Sequence, residues 1–366
     1  MMRIAAAILL SLLLTPPAPG QDDGATDRRA MDEAWRRYTE LLAQRDYEAS
    51  LVYARRGYEL AEALLLESDE SLAIATFNYG NNLLRVRERE ESVAILKLAL
   101  DRFERVYGRN GVDLIPALLS LGTAIAAPFD EDRSRHHFRR ALKLTARHYG
   151  DDSVEYADVA FQTSRVRLEM AQSADGRRDL HQAHRIYVDR FGTDNPRTGR
   201  AAFYLGKLEL ARKRYGPATE HFLAALQAFD PAVESQRQMH LTSRAFLVQA
   251  YESKGESELA TEHCLAIGRL SALVPKEELQ PLFRSAPEYP MTALRSGRSG
   301  HADIEFTVDE NGFVTNPRVI AVEGSRDFEA AALRAVQRFR YAPSFVDGEA
   351  VETDGVKTRI TFRIEQ

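Results

Sequence analysis

Cysteine is almost missing from this chain. Cys264 is the single one in 366 residues, so neither an internal disulfide nor a cysteine-built zinc site can form. It lies in ATEHCLAIG, an apolar helical pattern, and is expected as a buried thiol. An excess of one charge sign is missing too: 49 Lys+Arg stand against 54 Asp+Glu, a net of −5, and such a balance selects neither nucleic acid nor a charged membrane surface. Beyond the first residues no apolar run is long enough to span a bilayer, so no integral span is expected. The phrases that carry nucleophilic catalysis or phosphate binding are absent: no GxSxG, no GxxxxGK[ST], no GxGxxG. Histidines do occur in pairs, His136 beside His137 and His181 three before His184, but no third or fourth ligand joins them, and HExxH is absent. The expectation is a protein without catalysis, cofactor or metal.

The N-terminus sets the expected compartment. Arg3 precedes the apolar run Ile4 to Leu14, and TPPAPGQ then places Ala18 and Gly20 where a signal peptidase needs small residues before a cut at Gln21. Eleven helical residues reach about 16 Å against a hydrocarbon core of about 30 Å. Residues 1–20 therefore read as a cleaved secretory signal and the mature chain as periplasmic, in an envelope of the Gram-negative type. Association with the inner membrane is the alternative.

Three similar phrases recur: RVYGRN at 105–110, RHYGDD at 147–152 and RFGTDN at 190–195. Their rings, Tyr107, Tyr149 and Phe191, stand 42 residues apart. The same step of 42 collects Gly57, Ala99, Ala141, Ala183 and Ala225 in one column, and Gly80, Gly122, Ser164 and Gly206 in another. Small residues at fixed steps on amphipathic segments are what close helix packing requires, so the period predicts helical hairpins stacked on one another. About six are read, near 28–66, 72–107, 114–149, 155–191, 198–229 and 239–271, within a domain at 27–272. This part resembles the tetratricopeptide repeat in the longer form of kinesin light chains. Gly122 and Gly206 match its small position on the first helix; Phe138, Phe222 and the alanine column match the second. Acidic runs at 67–71 and 130–132 fall in predicted turns and read as solvated turns and helix caps.

Four prolines, Pro275, Pro281, Pro287 and Pro290, interrupt the helical pattern, and 273–287 reads as a linker. After it the hydrophobic period becomes two. Ala302, Ile304, Phe306 and Val308 alternate with polar residues, and Asn311-Gly312 signals a tight hairpin into FVTNPRVIAV. A helix follows, with Phe328, Ala332, Ala335, Val336 and Phe339 on one stripe and Asp327 as expected N-cap. The final stretch VKTRITFRI puts Val356, Ile360, Phe362 and Ile364 on one face, with Lys357, Arg359 and Arg363 on the other. At the helix end stands RFRYAP, 338–343, whose interleaved Arg and rings invite a nucleic-acid reading. Residues 284–366 hold 11 Lys+Arg against 13 Asp+Glu, which tells against it.

In this order, Tyr289-Pro290, Gly300, Phe306, Val308, Gly312, Val314, Phe328, Ala332, Ala335, RFRYAP and Phe362 resemble the C-terminal domain of TonB, here at 288–366. The resemblance implies a multidomain protein, an all-α repeat solenoid followed by a small α+β domain with an antiparallel β-β-α-β sheet. It further implies capture of an extended segment of an outer-membrane receptor, or of another envelope protein, along the last strand. The residues expected to meet that partner are Tyr289, Pro290, Arg338, Arg340, Tyr341, Lys357, Arg359, Ile360, Thr361 and Arg363. The membrane helix and proline-rich spacer of that family have no counterpart in these residues, so binding is expected rather than energy transduction. The alternative is an envelope scaffold whose repeats recruit proteins and whose C-terminal domain docks, with peptidoglycan as a second candidate ligand.

Overall fold

The computed structural model describes residues 22–126, 131–171, 174–271 and 279–364. The expected signal at 1–20 and residues 273–278 of the expected linker lie outside the described residues. The chain divides into two compact units, Met1–Arg190 and Phe191–Gln366.

The first unit is a run of four helical hairpins. They are α1 (Asp22–Ala43) with α2 (Tyr47–Leu64), α3 (Glu70–Arg85) with α4 (Arg89–Tyr107), α5 (Leu114–Ile125) with α6 (Glu131–Tyr149), and α7 (Val154–Ala171) with α8 (Ala174–Phe191). The recurring YG and FG phrases end the second helices. Gly108, Gly150 and Gly192 follow α4, α6 and α8 at φ of 72°, 90° and 80°, a left-handed geometry that glycine adopts without a Cβ clash. Within hairpins the turns are tighter; Arg45 and Arg87, again 42 apart, take φ of 61° and 69°. Asp46 caps α2, its carboxylate accepting from the Ala49 amide at 3.0 Å. In the acidic run at 67–71, Asp69 accepts from the Leu66 amide at 3.1 Å and Glu67 from the buried Arg102 of α4 at 2.9 Å.

The small columns are sockets. A Cβ built on Gly122 would lie 2.6 Å from the Phe138 ring, and one on Gly80 would lie 3.0 Å from Leu96. The residues that fill the sockets form their own column at the same step, Leu96, Phe138 and Leu180, each at most 1% exposed. Ala99, Ala141 and Ala183 are 0% exposed. Gly57, in contrast, has room for a methyl, a built Cβ meeting Ala34 at the ordinary contact distance of 3.9 Å. Replacing Gly122 with Ala is therefore expected to destabilise the first unit by about 1–3 kcal/mol through overpacking, outweighing the gain in helix propensity. A denaturant midpoint equal to or above that of the parent would refute the socket.

The second unit begins with two more hairpins, α9 (Pro196–Ala211) with α10 (Tyr215–Gln227) and α11 (Glu234–Lys254) with α12 (Ser257–Ser271). The socket recurs: a Cβ on Gly206 would lie 2.7 Å from the Phe222 ring. Then come β1 (Pro281–Phe283), α13 (Met291–Arg295), β2 (Gly300–Val308), β3 (Val314–Glu323), α14 (Asp327–Val336), β4 (Arg340–Tyr341), β5 (Ser344–Val346), β6 (Glu349–Val351) and β7 (Thr353–Phe362). The main sheet has the order β3-β2-β7, antiparallel throughout. Its core gathers the expected stripes: Ile304, Phe306, Phe328, Ala332, Phe339 and Phe362 are buried together. Phe328 of α14 stacks on Phe362 of β7 at 4.3 Å.

This is the expected strand, strand, helix, strand order with additions. β1 pairs with β4, and β5 with β6, so the described end of the expected linker carries a strand. The hairpin signalled by Asn311-Gly312 forms between β2 and β3, turning through Asp309 to Phe313 with Gly312 at φ of 81°. The Gly312 amide donates to the Asp309 carbonyl at 3.0 Å, and the Asp309 carboxylate accepts from the Asn311 and Phe313 amides at 2.9 and 2.8 Å. One local expectation is corrected. Asp327 is not the N-cap of α14 but its first residue, with its carboxylate accepting from the Thr292 hydroxyl.

Candidate functional site

β7 forms one margin of the main sheet, with β2 on its inner side. No other strand pairs with it among the described residues, so along ten residues every second backbone N–H and C=O points outward from the ladder. Alternation assigns the side chains. Ile360 and Phe362 are 7% and 2% exposed and belong to the core, whereas Lys357, Arg359, Thr361 and Arg363 are exposed.

Two cations on that outer face, Arg359 and Lys357, are not free. Register sets Arg359 opposite Asp303 and Lys357 opposite Glu305 of β2. The Arg359 guanidinium donates to both Asp303 oxygens at 2.7 and 2.8 Å, and Lys357 Nζ lies 4.0 Å from Glu305. Arg318 of β3 completes the ladder at 2.8 Å from Glu305. The hydrogen bond from Arg359 holds the Asp303 carboxyl below its usual range, and that from Arg318 does the same for Glu305. Exposed pairs of this kind add little stability, but they engage the positive charge that would otherwise attract an acidic partner.

The other candidate residues divide. Tyr289 is half-buried, its hydroxyl donating to the Arg298 carbonyl at 2.6 Å while its ring meets Phe362 edge-on at 5.7 Å, which brings it to the end of β7. Pro290, also half-buried, opens α13. Arg338 is exposed. Arg340 and Tyr341 are each 1% exposed and present no side chain to an outside partner. Tyr341 packs on Phe306 at 5.6 Å. Arg340 makes an ion pair with Glu252 and lies 3.7 Å above the Phe313 ring. Sequence reasoning missed Asp303 and Glu305, although both occupy outward positions on a strand that alternates. It missed Glu252 with no local signal available.

Among the described residues no group of three or more His, Cys, Asp or Glu could hold a metal ion, and no helix is long and apolar enough to cross a membrane. Helical-hairpin repeats joined to a small sheet with an open margin define a class of protein-interaction folds. Residues 285–364 match the family described as the Gram-negative bacterial TonB protein C-terminal. Protein TonB of Yersinia enterocolitica is 30% identical over 83 residues, which are 23% of this chain and 30% of that protein's length. The solved structure of BtubC (BKLC) from P. vanneervenii aligns with 72% of this chain and 98% of its own at a TM-score of 0.50 and 16% identity, a likeness of fold alone. The TPR-like repeats of a Podosopora anserina putative kinesin light chain align with 69% of this chain and 98% of their own at 12% identity and a TM-score of 0.33.

Proposed function

We propose that this is a periplasmic protein-binding protein whose C-terminal domain captures an extended segment of an outer-membrane receptor of the TonB-dependent kind, or of a related envelope protein, by strand addition. The observation that supports it is the open margin of β7 in a domain of the TonB C-terminal family. Outward main-chain groups would pair with the incoming peptide, each bond contributing about 1 kcal/mol net. Since Lys357 and Arg359 are engaged with β2 carboxylates, recognition rests on backbone register more than on charge. Thr361, Arg363 and the Tyr289-Pro290 corner are the side chains left to contact the peptide near the strand's end. Arg338 is a further exposed contact, whereas Arg340, Tyr341 and Ile360 serve from within the fold. Export by way of residues 1–20 belongs to this reading.

A second reading, an envelope scaffold acting through its repeats, draws on one column of first-helix residues. Asn78, Ser120 and Gln162 are half-buried and polar, and the Asn78 amide nitrogen has no partner.

Proline placed in turn at Thr358, Arg359, Ile360 and Thr361 separates the two. Where the lost N–H faces outward, capture of a synthetic peptide from the receptor's periplasmic segment should vanish while circular dichroism stays that of the parent; where it faces β2, the sheet should weaken. If every folded variant binds as the parent does, strand addition is wrong and the repeats become the binding site.

A further inference from the structure

The RFRYAP segment turns inward, onto the last repeat hairpin. Arg340 Nη1 is ion-paired with Glu252 on α11, and Nη2 donates to Thr261 Oγ1 on α12 at 2.7 Å. The same guanidinium donates to the Asn311 carbonyl at 3.1 Å, so one buried side chain ties the loop before β3 to both helices. Bare backbone closes the contact further along. A Cβ built on Gly268 of α12 would lie 2.4 Å from the Pro343 carbonyl oxygen and 2.9 Å from the Phe345 ring. Apolar surface completes it: Leu282, Phe283 and Ala342 pack on the cluster that holds Leu247, Tyr251 and Ile267.

A stack of hairpins leaves its last member with an apolar face that would receive the next repeat, and such arrays need a terminal cap. Here that face meets β1, β4 and β5 instead. We infer that the C-terminal domain is the cap of the repeat array, taking the place of a seventh hairpin, and that it folds with α11 and α12 as one body rather than as a bead on a linker. The inference stands whether or not β7 captures a peptide. Its consequence is that anything held on β7 is held in fixed orientation to the last hairpin.

Gly268 tests this through the sign of one substitution in the full chain. In an undocked helix Gly268→Ala raises helix propensity, so amide exchange in α11 and α12 would stay the same or slow. In the docked arrangement the added methyl meets the Pro343 carbonyl, and exchange in α11 and α12 and in the strands docked on them should accelerate by about tenfold or more. Glu252→Gln gives an independent reading. Docked, it strips a buried cation of its counter-charge and speeds exchange in the same helices; undocked, it alters an ordinary surface carboxylate and changes nothing. Unchanged or slower exchange in both variants would overturn the cap.

Discussion

Arg340→Ala is expected to lower the unfolding free energy of the unit Phe191–Gln366 by about 3–5 kcal/mol, the usual cost of breaking a buried ion pair by removing one partner. The Glu252 side chain is only 11% exposed and would keep the Ser257 hydroxyl at 3.0 Å as its hydrogen-bond donor. The Asn311 carbonyl and Thr261 hydroxyl would each lose a charge-assisted bond, and the Phe313 ring the cation above it. Lysine at 340 should recover little, since one ammonium cannot reach partners that a planar fork meets in several directions. Arg338, two residues away, supplies the contrast. It is exposed, and Arg338→Ala should change stability by no more than about 0.5 kcal/mol. Denaturant titration of the two variants checks both values; equal losses would mean that Arg340 is not the buried, paired member of the two.

The second large effect is acid sensitivity. On α11, Arg244 donates from Nε to His240 Nε2 at 3.0 Å and from Nη1 to His263 Nδ1 at 3.1 Å. His240 Nδ1 faces the Phe229 carbonyl at 2.8 Å, which fixes its proton there and leaves Nε2 to accept. Tyr251 stacks on the His263 ring at 5.7 Å. Burial, with the Arg244 guanidinium and His240 beside it, pushes His263 down to about 4, and burial lowers His240 as well. A histidine whose folded pKa is depressed contributes stability that is complete above its unfolded value, about 6.5, and is lost as the pH falls toward the folded one. At 1.36 kcal/mol per pH unit, the interval from 6.5 to about 4 removes about 3 kcal/mol from this unit. The Asp303 and Glu305 pairs yield at lower pH, below the ordinary carboxylate values, so the windows separate. His263→Gln, which keeps an acceptor for Arg244, should flatten the slope between pH 6.5 and 4. A parent whose stability matches that of the glutamine variant across this range would show that His263 is not held neutral.

The repeat architecture was legible because its cause is local and recurs. A socket needs a small residue one helix away from a large one, and the same pair returns every 42 residues, so column inspection finds it without coordinates. The main sheet was legible for a similar reason, since a strand with one buried face must alternate. Asn311-Gly312 marked the hairpin because Gly312 can take the φ of 81° that the loop requires, and two side-chain hydrogen bonds from Asp309 hold that loop.

What the amino-acid order determined by itself was therefore the kind of each element and the face it buries: stacked hairpins, a helix-covered sheet, and a last strand at the margin. Tertiary structure alone decided which polar side chains meet. The pairing of Arg359 with Asp303 spans 56 residues and follows from the register of β7 on β2. The pair of Arg340 with Glu252 spans 88 residues. β4 is two residues long and buried on both sides, so alternation could not tell an arginine bound for an outside partner from one bound for α11. A charge is drawn to whichever counter-charge the fold brings within reach, and that reach is set by packing between elements far apart in the chain.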